Sequence, residues 1–351
     1  MSEEDFFAEN EINNFTNSLP DDVRDKVGDI SVSKANETAD RYDLNFFLKE
    51  ISSGINKHLP SAVSFFATVT SMVIVTGIFE KLSESLNTKD LGKAFYFCSS
   101  LSLVIAIYTM QKSSYTLAVG LLKTLTATMS LMAPLMEAVY ISAGNTSLAA
   151  VSGTALTLTL TVVETIYTKV LVPAVSVSFI LCTVSAASSN KGLAYLSKTI
   201  RGLITTAIVS VMALTSIVLS LQSGVAASAD RFSQRAIRFA LGNYIPLIGG
   251  SISESLSALT GSLSLIKQLS GTAGIVVLIL MLLPPLISLI LTRLSVYLSS
   301  AVSGLIGCDK AKELLDDIGG IYTMLICISI AASLTFIYAL SVFCKSPLAL
   351  G

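Results

Sequence analysis

The chain has one histidine, His58, no tryptophan, and charge on only 13% of its 351 residues. A single histidine excludes sites built from two or more imidazoles, and His58 lies beside Leu59-Pro60 without the cysteines or carboxylates that a zinc site requires. A serine protease working inside a membrane through a Ser–His pair needs a histidine within an apolar segment, and an aspartyl protease needs two aspartates there. Neither arrangement is present. The five cysteines (Cys98, Cys182, Cys308, Cys327, Cys344) show no Cys-x-x-Cys spacing, and all but Cys308 lie in or at the end of apolar runs, so they read as small buried hydrophobes. No metal ligand set, no cofactor motif and no catalytic constellation is visible. The start, Met1-Ser2-Glu3-Glu4-Asp5, lacks the basic and apolar regions of a signal peptide.

Apolar residues take the place of charge. They make up 52% of the chain, the mean hydropathy is +0.72, and stretches such as 271–292 and 321–344 reach the ~20 residues that a helix needs to cross a bilayer. The apolar runs continue unbroken where a β-barrel would alternate, so the expected fold class is all-α: a polytopic helical membrane bundle of about eight transmembrane helices. These are placed at 61–79, 94–110, 117–143, 146–168, 171–188, 202–222, 271–292 and 321–343. Serine, threonine, alanine and glycine within the spans allow close helix approach and shared hydrogen bonds.

Four regions follow: an acidic amphipathic front (1–58), a first bundle of about six spans (59–222), a broken segment (223–270) and C-terminal spans (271–351). The front holds 13 acidic and 6 basic side chains, leaving 11 and 17 for the remainder. The basic residues are spread over short loops and form no single face, which argues against nucleic acid as a partner. In the front, Leu44, Phe47, Leu48, Ile51, Ile55 and Leu59 recur at helical spacing after the N-cap candidate Asp43 and predict a helix lying on something apolar. A weaker stripe contains Phe6, Phe7, Ile12 and Phe15, and the interval from Pro20 to Asp40 reads as a linker. With the front outside the cytoplasm, inward loops collect Lys81, Lys89, Lys93, Lys191, Lys198, Arg201, Arg293, Lys310 and Lys312. Short outward loops and the tail hold Lys112, Lys169 and Lys345, so the lysine and arginine bias favours that orientation.

Within the spans, a hairpin at Gly144-Asn145 puts Lys123 level with Glu164 near one interface and Glu137 only ~11 Å in from the other, at 1.5 Å per residue. A carboxylate at that depth is costly against lipid and should face protein or water, either as an ion or proton site or as a structural group bonded to hydroxyls. Pro284-Pro285 sits mid-span and predicts a kink.

Segment 223–270 is too polar for one span. Arg231, Arg235 and Arg238 fall at i, i+4 and i+7 on a basic face, opposite Phe232, Ala236, Phe239 and Ala240. That helix should stop at the run from Gly242 and Asn243 through Pro246 to Gly249 and Gly250, after which a second amphipathic helix follows. These amphipathic or re-entrant helices near 230–266 have two readings. Either the pair lines a cavity within the membrane, or it lies flat with its arginines on lipid phosphates.

The run from Arg235 through Gly242-Asn243-Tyr244-Ile245-Pro246 to Gly249 resembles the stage III sporulation protein AE family, in which a basic helix runs into a Gly-Asn-aromatic-Ile-Pro-hydrophobic-Gly break. Leu171-Val172-Pro173, Lys267 before Gly271–Gly274, and the proline-bearing span near Pro284 agree with it, and the resemblance extends from about residue 60 to the end. It implies a multi-pass membrane component of a secretion-like channel complex that joins mother cell and forespore after engulfment. It also implies a place in the mother-cell membrane around the forespore, with other membrane proteins of that complex as partners. Members usually open with a cleavable signal sequence, which this chain does not show. Association of copies into a homo-oligomer is compatible with such a bundle. A secondary transporter would show internal repeats with paired broken helices, and only one broken segment is seen. A passive scaffold would tolerate loss of Glu137 and the three arginines.

Overall fold

The computed structural model describes residues 16–17, 19–27, 42–85, 89–142, 156–188, 191–242 and 249–345. Among them every regular element is helical: α1 Asp21–Val27, α2 Leu44–Ser85, α3 Lys89–Ser142, α4 Leu156–Ile166, a π turn Tyr167–Leu171, α5 Val172–Ser188, α6 Lys191–Gly242, α7 Gly249–Ile306 and α8 Asp309–Lys345. The all-α class expected from composition is thus observed. Six helical stretches among the described residues are long and apolar enough to cross a membrane: Leu44–Phe79, Leu101–Pro134, Thr157–Ala186, Gly192–Leu221, Ala273–Ile306 and Asp309–Val342.

Six candidates replace the expected eight because two of the expected interruptions are bridged. Gln111 to Tyr115 is polar but holds no glycine or proline, so 94–110 and 117–143 run together as α3. Between 146–168 and 171–188 the obstacle is Pro173, which has no N–H and whose ring crowds the preceding turn. A π turn absorbs it: the Val172 N–H donates to the Tyr167 carbonyl five residues back, and α4 continues into α5. Pro60 likewise fails to divide the front helix from the first span, and both belong to α2.

Two clusters of buried side chains divide the bundle along its length. At one end, Val69, Val73, Cys308, Leu315 and Ile318 pack around the joint between α7 and α8. At the other, Leu125 and Met129 of α3, Val277 and Met281 of α7 and Phe336 and Leu340 of α8 surround the front of the chain. The first is called the joint end and the second the front end. The joint is a Schellman turn: Gly307, at φ +82°, donates its N–H to the Gly304 carbonyl (3.2 Å), and Cys308 donates to the Ser303 carbonyl (3.0 Å). The left-handed φ requires glycine there.

The front differs from expectation in two ways. Within the interval read as a linker, Asp21–Val27 forms a helix, with acidic residues at its N-terminus and Arg24 and Lys26 in its last turn, matching the helix dipole. Leu19, Val23 and Val27 are buried in the front-end cluster, the Tyr42 hydroxyl donates to the Val27 carbonyl (2.8 Å), and Lys26 pairs with Glu50 (2.5 Å). In α2, Asp43 is the N-cap, accepting from the Phe46 N–H at 2.8 Å. The stripe that follows it is turned outward: Leu44, Leu48, Ile55 and Leu59 are exposed, and only Phe46, Phe47 and Tyr42 reach the core. Leucines facing away from the bundle suit a helix with hydrocarbon around it. The Phe6 to Phe15 stripe lies outside the described residues.

The expected sharing of hydroxyls between helices is present at a few places. Ser178 on α5 and Ser197 on α6 each donate to the other's backbone carbonyl at 2.9 Å. Ser295 on α7 donates to the Ala62 carbonyl on α2 (2.8 Å), and Ser220 on α6 meets Tyr338 on α8 (2.6 Å). Most other hydroxyls bond back to their own helix. Cys182 and Cys308 are buried as expected, but Cys98 and Cys327 are exposed, because each falls on the outward side of its helix.

Candidate functional site

The most concentrated polar geometry lies at the joint end, between α6 and α8. Arg201 stands about three turns into α6 and Asp317 about two turns into α8. The Arg201 guanidinium donates to the Asp317 carboxylate (Nη2 to Oδ1, 2.6 Å) and to its backbone carbonyl (Nη1, 2.6 Å). Both side chains are about nine-tenths buried, at 11% and 9% exposure. A charge so withdrawn from water must be paired, and the second bond uses the guanidinium's fork. Lys198, one turn earlier on α6, adds a more exposed cation 3.8 Å from the same carboxylate oxygen. Gly320 makes room for the arginine, since a β-carbon there would collide with Arg201 Nη1.

The neighbouring Asp316 turns to the other side of α8, where it accepts from the Ser300 hydroxyl of α7 and pairs with Lys312 at 2.8 Å. Two adjacent aspartates thereby tie α8 to α6 and to α7. Lys81 belongs to the same end: a β-carbon at Gly77 on α2 would press on Cys308 Sγ and Ile306 Cγ2, and the Lys81 ammonium reaches to about the Gly307 position. The loop cations that orientation reasoning placed together (Lys81, Lys198, Arg201, Lys310, Lys312) share the joint end. Arg293, assigned to the same side, instead lies within α7, and Lys112 and Lys169, assigned to outward loops, lie inside the fused spans Leu101–Pro134 and Thr157–Ala186.

The residues singled out from sequence do not converge on one site. Glu137 is half-buried on α3, just beyond Pro134 where the candidate span ends, beside Met136 of the front-end cluster. The Gly144-Asn145 turn lies outside the described residues. Arg231, Arg235 and Arg238 lie toward the end of α6, which runs without interruption past the end of its candidate span at Leu221 to Gly242, the last described residue before the predicted break. Asn243 and Pro246 lie outside the described residues. Gly249 and Gly250 open α7, which continues through the expected second amphipathic helix and across Pro284 and Pro285 to Ile306.

The Arg201–Asp317 pair escaped sequence reasoning, which counted Arg201 only as a loop cation. The available signal was the Asp316-Asp317 doublet, flanked by the buried Leu314, Leu315 and Ile318. What this geometry does is mechanical: it fixes α8 to α6 through Asp317 and to α7 through Asp316. His58 Nε2 on α2 has no hydrogen-bond partner, and no group of three or more metal-ligating side chains occurs among the described residues.

The family model for stage III sporulation protein AE matches residues 30–346, which contain α2 to α8 with the polar joint end and the run 242–250. This chain belongs to the stage III sporulation protein AE family. One relative, Stage III sporulation protein AE of Bacillus subtilis (strain 168), is 21% identical over 296 residues, covering 84% of this chain and 74% of the relative. No solved structure matches the chain. Family membership agrees with the resemblance drawn from the Gly242–Gly249 break. Together with the six apolar helices it makes this a sporulation membrane protein.

Proposed function

We propose that this chain is a multi-pass membrane component of a channel or secretion-like complex that links mother cell and forespore and supports forespore development after engulfment. The observation that carries the reading is the family match, which runs through the membrane bundle and includes the break flanked by a basic helix and Gly249-Gly250. The chain acts without catalysis, resides in the mother-cell membrane around the forespore, and has its partners among other membrane proteins of the complex. Its joint end, with Lys81, Lys198, Arg201, Lys310 and Lys312, faces the cytoplasm by the positive-inside rule. The basic helix with Arg231, Arg235 and Arg238 and the break at Gly242, Asn243, Pro246, Gly249 and Gly250 serve as its contact with lipid phosphates or with the rest of the complex, and Glu137 is a polar group at the opposite interface.

The test is affinity purification of the tagged, full-length chain from detergent extracts of sporulating cells. Other sporulation membrane proteins should co-purify in defined ratio. A chain that emerges alone under gentle extraction sinks the reading.

A further inference from the structure

Four of the six candidate spans show several large apolar side chains outward, among them Val63 and Ile74 on α2, Leu203 and Leu214 on α6 and Ile290 and Leu294 on α7, while α8 is so far enclosed that only Leu334 faces out. The span in α3 differs. It has the lowest mean hydropathy of the six, 1.4, and among its described side chains between Tyr108 and Leu131 it exposes no large apolar one. That gap covers about 32 Å at 1.5 Å per residue, the full thickness of a hydrocarbon core. Its outward stripe is Thr116, Gly120, Lys123, Ala127 and Ser130, spaced i, i+4, i+7, i+11 and i+14, and all five are exposed. A β-carbon on Gly120 would meet nothing.

A second stripe lies on α4 and the π turn that follows it: Thr157, Thr161, Glu164 and Thr168 at i, i+4, i+7 and i+11, partly or fully exposed. The hydroxyls of Thr116, Ser130, Thr161 and Thr168 bond back to their own helices. Lys123 and Glu164 remain, and neither has a partner among the described residues. Unpaired charges within a span are costly against lipid, and small residues are the usual seam of helix pairs in membranes.

The two stripes fit one another when they belong to different copies. α3 runs from the joint end to the front end, since Leu103 and Ile107 belong to the joint-end cluster and Leu125 and Met129 to the front-end one. α4 runs the other way, from Leu160 in the front-end cluster to Tyr167 in the joint-end one. The α3 of one copy and the α4 of a neighbour in the same orientation are therefore antiparallel. Setting Lys123 opposite Glu164 then brings Ser130 opposite Thr157, Ala127 opposite Thr161 and Gly120 opposite Thr168, small residue against hydroxyl at every step. Pairing α3 with α3 would instead oppose lysine to lysine.

We propose that copies of this chain associate side by side in the membrane, the α3 stripe of one against the α4 stripe of the next, with Lys123 of the first paired to Glu164 of the second. The inference deepens the reading of this chain as part of a membrane complex and rests on it only for the bilayer setting.

The test uses the full chain, purified in detergent and studied by native mass spectrometry. Wild type should be multimeric, and Lys123→Glu or Glu164→Lys alone should each weaken association by at least ~10-fold. An equal mixture of the two variants should recover association, because each supplies the charge the other lacks, and misfolded chains cannot produce that recovery. In a background with the native cysteines replaced, Lys123→Cys and Glu164→Cys chains should be joined by a short bifunctional maleimide only when mixed. A monomeric wild type, association unaffected by either charge reversal, no recovery in the mixture, or cross-links confined to a single chain carrying both cysteines would each overturn the proposal. Co-purification from sporulating cells is scored separately, so failure here is distinguishable from failure of the complex.

Discussion

Arg201 on α6 holds Asp317 on α8 at two points, its backbone carbonyl and its carboxylate, each at 2.6 Å. The two residues are 116 positions apart in sequence, so the pair closes the bundle at the joint end between helices that are not neighbours in the chain.

Removing one partner should cost more than removing both. Arg201→Ala and Asp317→Ala should each destabilise the protein by about 3–5 kcal/mol, because the remaining charge is left buried and unpaired. The double variant should lose clearly less than the sum. Lys198→Ala, at a side chain 57% exposed, should cost only about 0–1 kcal/mol. Thermal unfolding in detergent, followed by circular dichroism, measures all four, and additive losses would count against the pair.

Two adjacent glycines give a sharper contrast. Gly320→Ala places a β-carbon against Arg201 Nη1 and should imitate the loss of Arg201. At Gly319 the nearest atom to a β-carbon is Val296 Cγ1 at 3.9 Å, an ordinary contact. Gly319→Ala should therefore be neutral or stabilise by up to about 1 kcal/mol through helix propensity. Equal melting temperatures for the two variants would contradict this account.

At the other side of the joint, a β-carbon on Gly77 would lie 2.6 Å from Cys308 Sγ and 2.7 Å from Ile306 Cγ2. Gly77→Ala should lower stability by about 1–3 kcal/mol, the usual cost of overpacking. Combining it with Cys308→Ala should return part of the loss. No recovery in the same melting assay would mean that α2 meets the joint differently.

The six candidate spans also predict a labelling pattern. A cysteine at Ser113 lies within Leu101–Pro134 and should resist membrane-impermeant maleimide from both sides of sealed vesicles, whereas one at Lys310, exposed beside the joint, should react from one side. Rapid labelling at Ser113 would restore a loop between 110 and 117 and raise the count to seven.

Glu137→Gln keeps shape and removes charge. If Glu137 serves the complex, the variant should accumulate normally but form fewer heat-resistant spores. Unchanged assembly together with unchanged spore counts would leave it a structural carboxyl.

Much of this architecture is legible in the residues themselves. Composition alone requires a helical membrane bundle, and Asp43 announces the start of α2. What escaped is what depends on partners. A polar run such as Gln111 to Tyr115 looks like a loop until Ser114 is seen buried within an unbroken helix. Pro60 and Pro173 resemble boundaries, yet helices pass through both, one with an interior proline and one with a widened turn. The Phe46 and Phe47 side of the front helix packs on the front-end cluster, to which α1, hidden in an apparent linker, adds Val23 and Val27. The Arg201–Asp317 bond is a tertiary fact that local periodicity does not encode.

The π turn at Tyr167–Leu171 has a consequence for the azimuth of everything beyond it. A wide turn accommodates one residue more than an α turn, and each residue of an α-helix advances by about 100°. Deleting Thr168 should let the segment close into regular helix with α5 held near its present azimuth, so that Ser178 stays on Ser197. A residue inserted in α4, with no wide turn to absorb it, should swing α5 by roughly that angle and carry Ser178 off Ser197. The wide turn is slack taken up within the coil, and it keeps the same face of α5 on α6.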